Sequence, residues 1–350
     1  LARSLAKAKL PAGVAKAGLR AAREGGRNEP DLVLALARSG DLEGDAQQLT
    51  PTEIQQLVAQ ITKKGDPARG ERIFRRAELT CVTCHAIGGV GGKAGPDLTS
   101  IGASAPLDYL IESLLYPNRK VKEGFHSILI ETKDGLEFSG IPVRETSDQV
   151  VIRDATNKEV SVAKNNIEKR AIGGSIMPSG LIDSLTGEEH LDLYRFLSEL
   201  GKPGLYDASK GNVARFWRLF AATIDAAQFG DERVLKTDLG NPSWSPAYAL
   251  VNGRLSKEEL LAKLKSVASR APSAVYAAAQ FQVGQPGRVQ LQLGSAPHQA
   301  VWIDGQSVTS SSPIIADLSA GTHTIVIKLD ANKIPEHVRV ETSDGTFLTN

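Results

Sequence analysis

The spacing of apolar residues divides the chain into stretches of different period. Across residues 1–64 the period is helical. Residues 1–10 and 14–23 are Ala-rich and amphipathic, and 31–38 lies between Pro30 and Gly40. Thr50 and Pro51 open a further helix over 52–63, with Ile54, Leu57, Val58 and Ile61 at i, i+3, i+4 and i+7. A succession of short antiparallel helices is expected of the end of a HEAT-like repeat region. Asp66 reads as the N-cap and Pro67 as the first residue of the next helix, which is predicted to reach about Ala77. A Gly-rich loop runs from Gly88 to Gly95. Ser104 is then expected to cap a helix whose apolar face is Leu107, Leu110, Ile111, Leu114 and Leu115, stopped by Pro117 and Asn118.

After that helix the period falls to two. Residues 125–132, 136–144, 149–154, 158–162 and 167–171 read as strands, with a hairpin turn at Asp134-Gly135. Five short strands in so few residues predict a small β-barrel or curled sheet inserted into a helical unit. A loop over 173–181 follows. Thr186 and Glu189 have capping-box spacing, and the helix 188–200 presents Leu193, Phe196, Leu197 and Leu200 on one face. Beyond residue 205 one helix is clear, 257–269. Alternating strands follow at 274–283, 288–293, 300–303, 313–318, 322–329 and 337–342, a spacing that predicts a β-sandwich or jelly roll.

These patterns predict an α+β multidomain chain. A helical, HEAT-like segment occupies 1–64. A helical domain at 65–204 carries a β insertion at 121–171, and a mixed segment plus β-sandwich fills 205–350.

Composition narrows the function. The 350 residues carry a formal net charge of +1, with Lys and Arg spread along the chain, which gives no footing for nucleic acid. No apolar run has the ~18–20 residues of a membrane span. The chain starts at Leu1 inside a helical pattern and reads as a piece of something longer, its targeting signal lying upstream.

Only two cysteines are present, and they form one motif, Cys81-Val82-Thr83-Cys84-His85. C-x-x-C-H is the attachment signature of c-type haem. Two thiols one helical turn apart add across the two haem vinyl groups, and the next residue offers its imidazole to the iron. Three alternatives stand beside this. A zinc site usually takes four ligands, and no second Cys pair exists. A redox dithiol prefers a strand-to-helix setting. A disulfide at this spacing leaves His85 without a role. Haem attachment and the scarcity of cysteine both point to the periplasm or cell surface.

The iron needs a partner opposite His85. Met177, the one methionine, lies in a Gly/Pro/Ser-rich loop, an unusual setting for a core residue. The other candidates are His126, His190, His298, His323 and His337. Arg75, Arg76, Lys93 and Arg119 are candidates for the haem propionates or for docking.

Cys81-x-x-Cys84-His85, Gly95-Pro96-Asp97-Leu98, Met177-Pro178 and an aromatic closing helix resemble class I cytochrome c. That resemblance implies that the Pro96 carbonyl accepts a hydrogen bond from the proximal His85 ring. It also implies that Gly70 and Tyr194 form the small-against-aromatic contact between first and last helices. Residues 65–204 resemble more closely the haem-binding domain of large multidomain proteins of Planctomycetes and Verrucomicrobia. Those proteins often pair it with a dehydrogenase-like β-propeller and HEAT repeats.

The expected function is therefore an electron carrier, not an enzyme, with one covalent haem c. His85 and Met177 are the metal ligands, and Cys81, Cys84 and Pro96 complete the cofactor site. The expected partners are an upstream dehydrogenase domain and a redox partner protein. Two alternatives remain open. One is a carbohydrate- or surface-binding module carrying a haem domain, resting on Trp217, Trp244 and Trp302. The other is a haem sensor with a displaceable distal ligand.

Overall fold

A computed structural model describes residues 2–5, 8–15, 18–19, 30–40, 49–222, 230–266, 273–294, 300–309 and 312–349. Its contacts separate two compact units: Leu1–Ala86 with Gly91–Lys202, and Ile87–Val90 with Pro203–Asn350.

The first unit opens with α1 (Ala2–Leu5), α2 (Pro30–Ser39) and α3 (Pro51–Lys64). Thr50 and Glu53 close a capping box on α3, satisfying two amides that the helix start would otherwise orphan. Next come α4 (Pro67–Phe74), α5 (Cys81–Cys84), α6 (Ile101–Ser104), α7 (Leu107–Leu115) and α8 (Gly187–Glu199). Between α7 and α8 lies an antiparallel sheet: β3 (Ile128–Thr132), β4 (Glu137–Glu145), β5 (Gln149–Arg153), β6 (Glu159–Ala163) and β7 (Ile167–Ile172), ordered β6-β5-β4-β3-β7. Its buried face is Ile128, Ile130, Val150, Ile152 and Val162. Alternate residues of β3 point away from this face, as the two-residue period requires. A short pairing of β1 (Ala86–Ile87) with β2 (Val90–Gly91) follows the cysteine motif.

Helices α4 and α8 pack closely against each other. A Cβ on Gly70 would collide with the Asp192 backbone carbonyl and come within 2.7 Å of Phe196 Cβ. The aromatic partner of Gly70 is thus Phe196, whose ring lies 5.5 Å from that of Phe74, and not Tyr194. Helical periodicity explains the shift: Asp192 and Phe196 are four residues apart and share a face, which Tyr194 leaves. The same junction buries Asp192. Its carboxylate accepts from the Asp66 amide at 2.7 Å and from Arg69 Nε and Nη2 at 2.6 and 2.9 Å. Gly70→Ala should lower stability by about 1–3 kcal/mol, since backbone must move to admit the methyl. A denaturant melt of the variant against the parent checks this, and an unchanged midpoint would mean the helices are not in contact there.

The second unit carries two larger sheets. The first is ordered β10-β17-β12-β15, from β10 (Leu255–Ser256), β12 (Gly287–Gly294), β15 (Ile314–Leu318) and β17 (His337–Glu341). The second runs β14-β13-β16-β11-β8-β9, with β18 (Thr346–Phe347) also on β11. Its strands are β8 (Phe216–Ala222), β9 (Ser245–Tyr248), β11 (Ala274–Val283), β13 (Ala300–Ile303), β14 (Gln306–Val308) and β16 (Gly321–Asp330). Helices α9 (Gly230–Lys236) and α10 (Lys257–Ser266) complete the unit. One core takes Val289, Leu291, Val338 and Val340 from the smaller sheet and Ala277, Phe281, Ile325 and Ile327 from the larger. The opposite face of the larger sheet is also buried, by Tyr276, Ala278, Trp302 and Val326 with Trp244. That two-sided burial explains why β11 reads as an almost unbroken apolar run.

This is not the architecture the patterns predicted. The chain is mixed and β-rich, with four open sheets among the described residues. Among the described residues the HEAT-like segment is not seen: α3, with Ile54 and Ile61 buried, packs on α7 and α8. The stretch 65–204 is not a helical cytochrome c-like domain interrupted by a barrel. Its helices have 8, 4, 4, 9 and 13 residues, and the sheet fills a comparable share. The barrel does not close, because β6 and β7 end the sheet without pairing to each other. Closure needs an inward face on every strand, and β7 exposes all its residues after Ile167. Boundaries also move: α4 stops at Phe74, and Ser104 ends α6 while Pro106 precedes α7.

One histidine of the second unit has a defined charge state. His323 Nδ1 lies 2.6 Å from an Asp304 carboxylate oxygen and Nε2 lies 2.9 Å from the Ser319 carbonyl. Both partners only accept, so both ring nitrogens must donate, which requires the imidazolium. Burial opposes the charge, but the bonds to Asp304 and Ser319 outweigh it and raise the pKa above the ordinary value. A raised folded-state pKa gives stability that is full below the unfolded value of ~6.5 and is lost as pH rises through the folded value. Thermal melts across pH 5–9 (a range spanning ~6.5) should show this loss in the parent, and His323→Gln should flatten it. Equal pH dependence in both would contradict the assignment.

Candidate functional site

The motif Cys81–Cys84 forms the single turn α5, so its two sulfurs lie on one side of that turn. Thr80 enters it in the left-handed region at φ 53°, and His85 leaves it extended at φ −114°, its amide bonded to the Cys81 carbonyl at 2.8 Å. Extended backbone at His85 turns the ring off the helical course. The following loop folds back on the motif: the Gly92 amide donates to Val82 and the Gly95 amide to Cys84, at 2.9 and 2.7 Å.

The ring of His85 is fixed by Pro96, whose carbonyl lies 2.7 Å from Nδ1. A carbonyl only accepts, so Nδ1 carries the proton and Nε2 keeps its lone pair. Burial lowers the His85 pKa, against the opposing effect of the Pro96 bond, which keeps the ring neutral at neutral pH. Gly95 lies under the ring. A Cβ there would come within 2.5–2.9 Å of three of its atoms, so the position has no room for a side chain.

His85 opens onto a cleft in the first unit. Cys81, Cys84, Pro96 and Met177 line the same cleft. Its walls are apolar, with Phe74 from α4, Leu110 and Leu114 from α7, Leu193 and Leu197 from α8, and Phe125 ahead of β3. Both cysteines are half-buried and free of a disulfide. Close packing nevertheless pushes the Cys81 thiol up to about 12 and raises that of Cys84. Such thiols are not thiolates at neutral pH, which disfavours dithiol redox chemistry. Among the described residues no three His, Cys, Asp or Glu side chains gather as metal ligands, so no zinc set is seen there.

Met177 is held by its loop. Its amide donates to Ser175 Oγ at 3.1 Å, and the Ser175 amide donates to Asn118 Oδ1 at 2.9 Å. The loop's start is tied to Ser127, which accepts from the Gly173 amide at 2.7 Å and donates through its own amide and Oγ to the Gly174 carbonyl at 3.0 and 2.9 Å. The other ligand candidates lie elsewhere. His126 is exposed and off the cleft. His190 stacks on Tyr194 in a second cavity. His323 and His337 belong to the second unit, and His298 lies outside the described residues.

Several sequence candidates take other partners. Arg75 pairs with Glu71, Arg76 with Glu189, and Arg119 with Glu112 and the Tyr116 ring. Neither these nor Lys93 line the cleft; Lys120 and Lys122 do. Lys120 also pairs with Glu112 at 2.6 Å. Asn118 had been legible only as a helix stop. Trp217, Trp244 and Trp302 are 0, 3 and 7 % exposed, so none offers a ring face for stacking a sugar. Among the described residues no helix is long and apolar enough to cross a membrane. No protein-family model matches the chain, and no curated protein matches it.

The residues suit a haem. An imidazole with a defined lone pair and a thioether sulfur face one cleft.

Proposed function

We propose that the protein is an electron carrier, a c-type cytochrome module holding one covalent haem c. Cys81 and Cys84 would anchor it, and His85 and Met177 would be its axial ligands. The observation that carries this reading is the shared cleft: both thiols, the Pro96-oriented His85 and Met177 line the same apolar walls. The motif's resemblance to class I cytochromes c and to the haem-binding domains of Planctomycetes and Verrucomicrobia proteins points the same way.

When bound, haem c supplies a one-electron Fe(III)/Fe(II) couple. The chain's own residues do the rest. Pro96 holds the His85 ring in one tautomer and one orientation and raises its basicity as a donor. Thioethers at Cys81 and Cys84 would be uncharged, so apolar burial suits them better than it suits thiolates. Leu110, Leu114, Leu193 and Leu197 exclude water, which keeps charge-dependent solvent rearrangement small. Lys120 and Lys122 offer cations to the carboxylates of the group. The hydrogen-bonded loop holds the Met177 backbone beside the cleft that the residue lines, which favours a saturated carrier over a sensor with a displaceable ligand.

The electron donor in this reading is an upstream dehydrogenase domain or separate enzyme, and the acceptor another redox protein. In this reading the module works in the periplasm or at the cell surface, where haem is attached to cysteines. Film voltammetry tests the function: a reversible one-electron wave, unaltered by CO, is expected. No wave, or a ferrous state that takes up CO on mixing, would overturn it.

A further inference from the structure

The inserted sheet touches the two loops that carry the proposed axial ligands. At one end, the hairpin between β5 and β6 meets the loop after His85. The Lys93 amide donates to Asn157 Oδ1 at 2.8 Å, and Arg153 Nη1 donates to the Lys93 carbonyl at 3.3 Å. The Ala155 carbonyl lies 3.9 Å from Cys84 Sγ. Asn157 reaches Lys93 from a left-handed conformation, φ 68°, which Asn tolerates better than most residues. The turn is set by Asp154, whose Oδ1 accepts from the Thr156 and Lys158 amides at 2.8 and 3.0 Å.

At the other end, Ser127 precedes β3 directly and binds Gly173 and Gly174, at the start of the Met177 loop. Between the two ends the connection is antiparallel ladder, with one irregularity in β4 between Pro142 and Arg144. β3 pairs with β4 from Ile128↔Gly140 to Glu131↔Glu137, and β4 pairs with β5 from Ile141↔Arg153 to Glu145↔Val150. The buried face of Ile128, Ile130, Val150 and Ile152 stiffens that path.

We infer that the inserted sheet is the brace that sets the spacing of His85 and Met177, with Asn157 and Ser127 as its positioning residues. This rests on the ligand assignment under the proposed function. A sheet suits the task because its ladder deforms less than the glycine-rich loops it holds. Arg153 serves both roles, being a β5 residue that pairs with Glu159 at 2.6 Å and also touches the Lys93 carbonyl. The insertion thereby gains a function that its sequence does not announce: it fixes the distance between ligand-bearing segments.

The test compares Asn157→Gly, which keeps the backbone conformation and loses the acceptor, with Asn157→Asp, which keeps the acceptor. Ser127→Ala probes the other end. In the haem-free chain, amide exchange at Gly92 and Gly95 should rise about three- to tenfold in Asn157→Gly, the factor for one lost hydrogen bond. Exchange at Met177 should rise similarly in Ser127→Ala, while Asn157→Asp stays near the parent. In the haem-loaded protein, the sulfur-to-iron(III) charge-transfer band of Met ligation should weaken in Asn157→Gly and Ser127→Ala and recover in Asn157→Asp. Unchanged exchange and an unchanged band in both defective variants would overturn the brace. Equal loss in Asn157→Gly and Asn157→Asp would do so too. If no haem attaches at all, the proposed function fails, yet the exchange arm still decides for or against the brace.

Discussion

Chain in which Cys81 and Cys84 are both replaced by Ser retains no pigment after denaturation, while its fold survives. The expected result follows from the separation of anchoring and packing at this site. The sulfurs sit on a one-turn helix at the cleft wall, and neither belongs to the buried core. Serine fits the volume, and the loop bonds Gly92 to Val82 and Gly95 to Cys84 run through backbone. The covalent link is then lost completely, whereas stability shifts by under ~1 kcal/mol, as for a substitution that creates no cavity. Visible absorption of a denaturing gel band reads the first quantity and a thermal melt the second. Pigment that survives denaturation in the double variant would remove Cys81 and Cys84 from the site.

Met177→Ala has the second largest expected effect. The loop remains tied through Ser175 to Asn118 and through Gly173 and Gly174 to Ser127, because those bonds involve no part of the Met177 side chain. Only the sulfur is removed, so the change is chemical and local. The haem-loaded variant should turn high-spin, lose the sulfur-to-iron(III) band, bind CO within mixing time when reduced, and show a lower reduction potential, since Met ligation raises it. An unchanged low-spin spectrum would mean that another residue holds the distal position. His126 and His190 are poor substitutes, one exposed off the cleft and the other stacked on Tyr194.

The local chemistry of this site was more legible than the architecture around it. Cys81, Cys84, His85 and Pro96 are close in sequence, so one turn and one loop suffice to bring them together. Met177 stood out because it interrupts a polar loop. Asn118, Ser127 and Asn157 did not stand out, because a residue that positions another through a single hydrogen bond leaves no pattern in a chain. The Gly70 contact was read from a resemblance and assigned to Tyr194. Helix geometry assigns it to Phe196, on the face shared with Asp192.

The fold was misread where period alone had to settle closure and packing. The alternation over 125–171 marked strands near β3 to β7, yet it carries no information on whether the end strands meet. The polar run Glu168-Lys169-Arg170 in β7 was the available signal that one end of the sheet faces solvent. Likewise the amphipathic face of α3 says that something covers Ile54 and Ile61, but not whether a repeat or α7 and α8 do so. The caps at Asp66 and Thr186 fared better, since each bonds an amide within three residues, whereas Ser104 ends α6 instead of capping α7.

The most direct test of covalent haem at Cys81–His85 is the intact mass of the denatured protein, produced in cells that carry a haem-attachment system. A chain mass increased by one haem, with a pyridine haemochrome spectrum of thioether type, is the predicted result. A bare-chain mass, or a bare-chain mass lower by the two hydrogens lost to a Cys81–Cys84 disulfide, would contradict it.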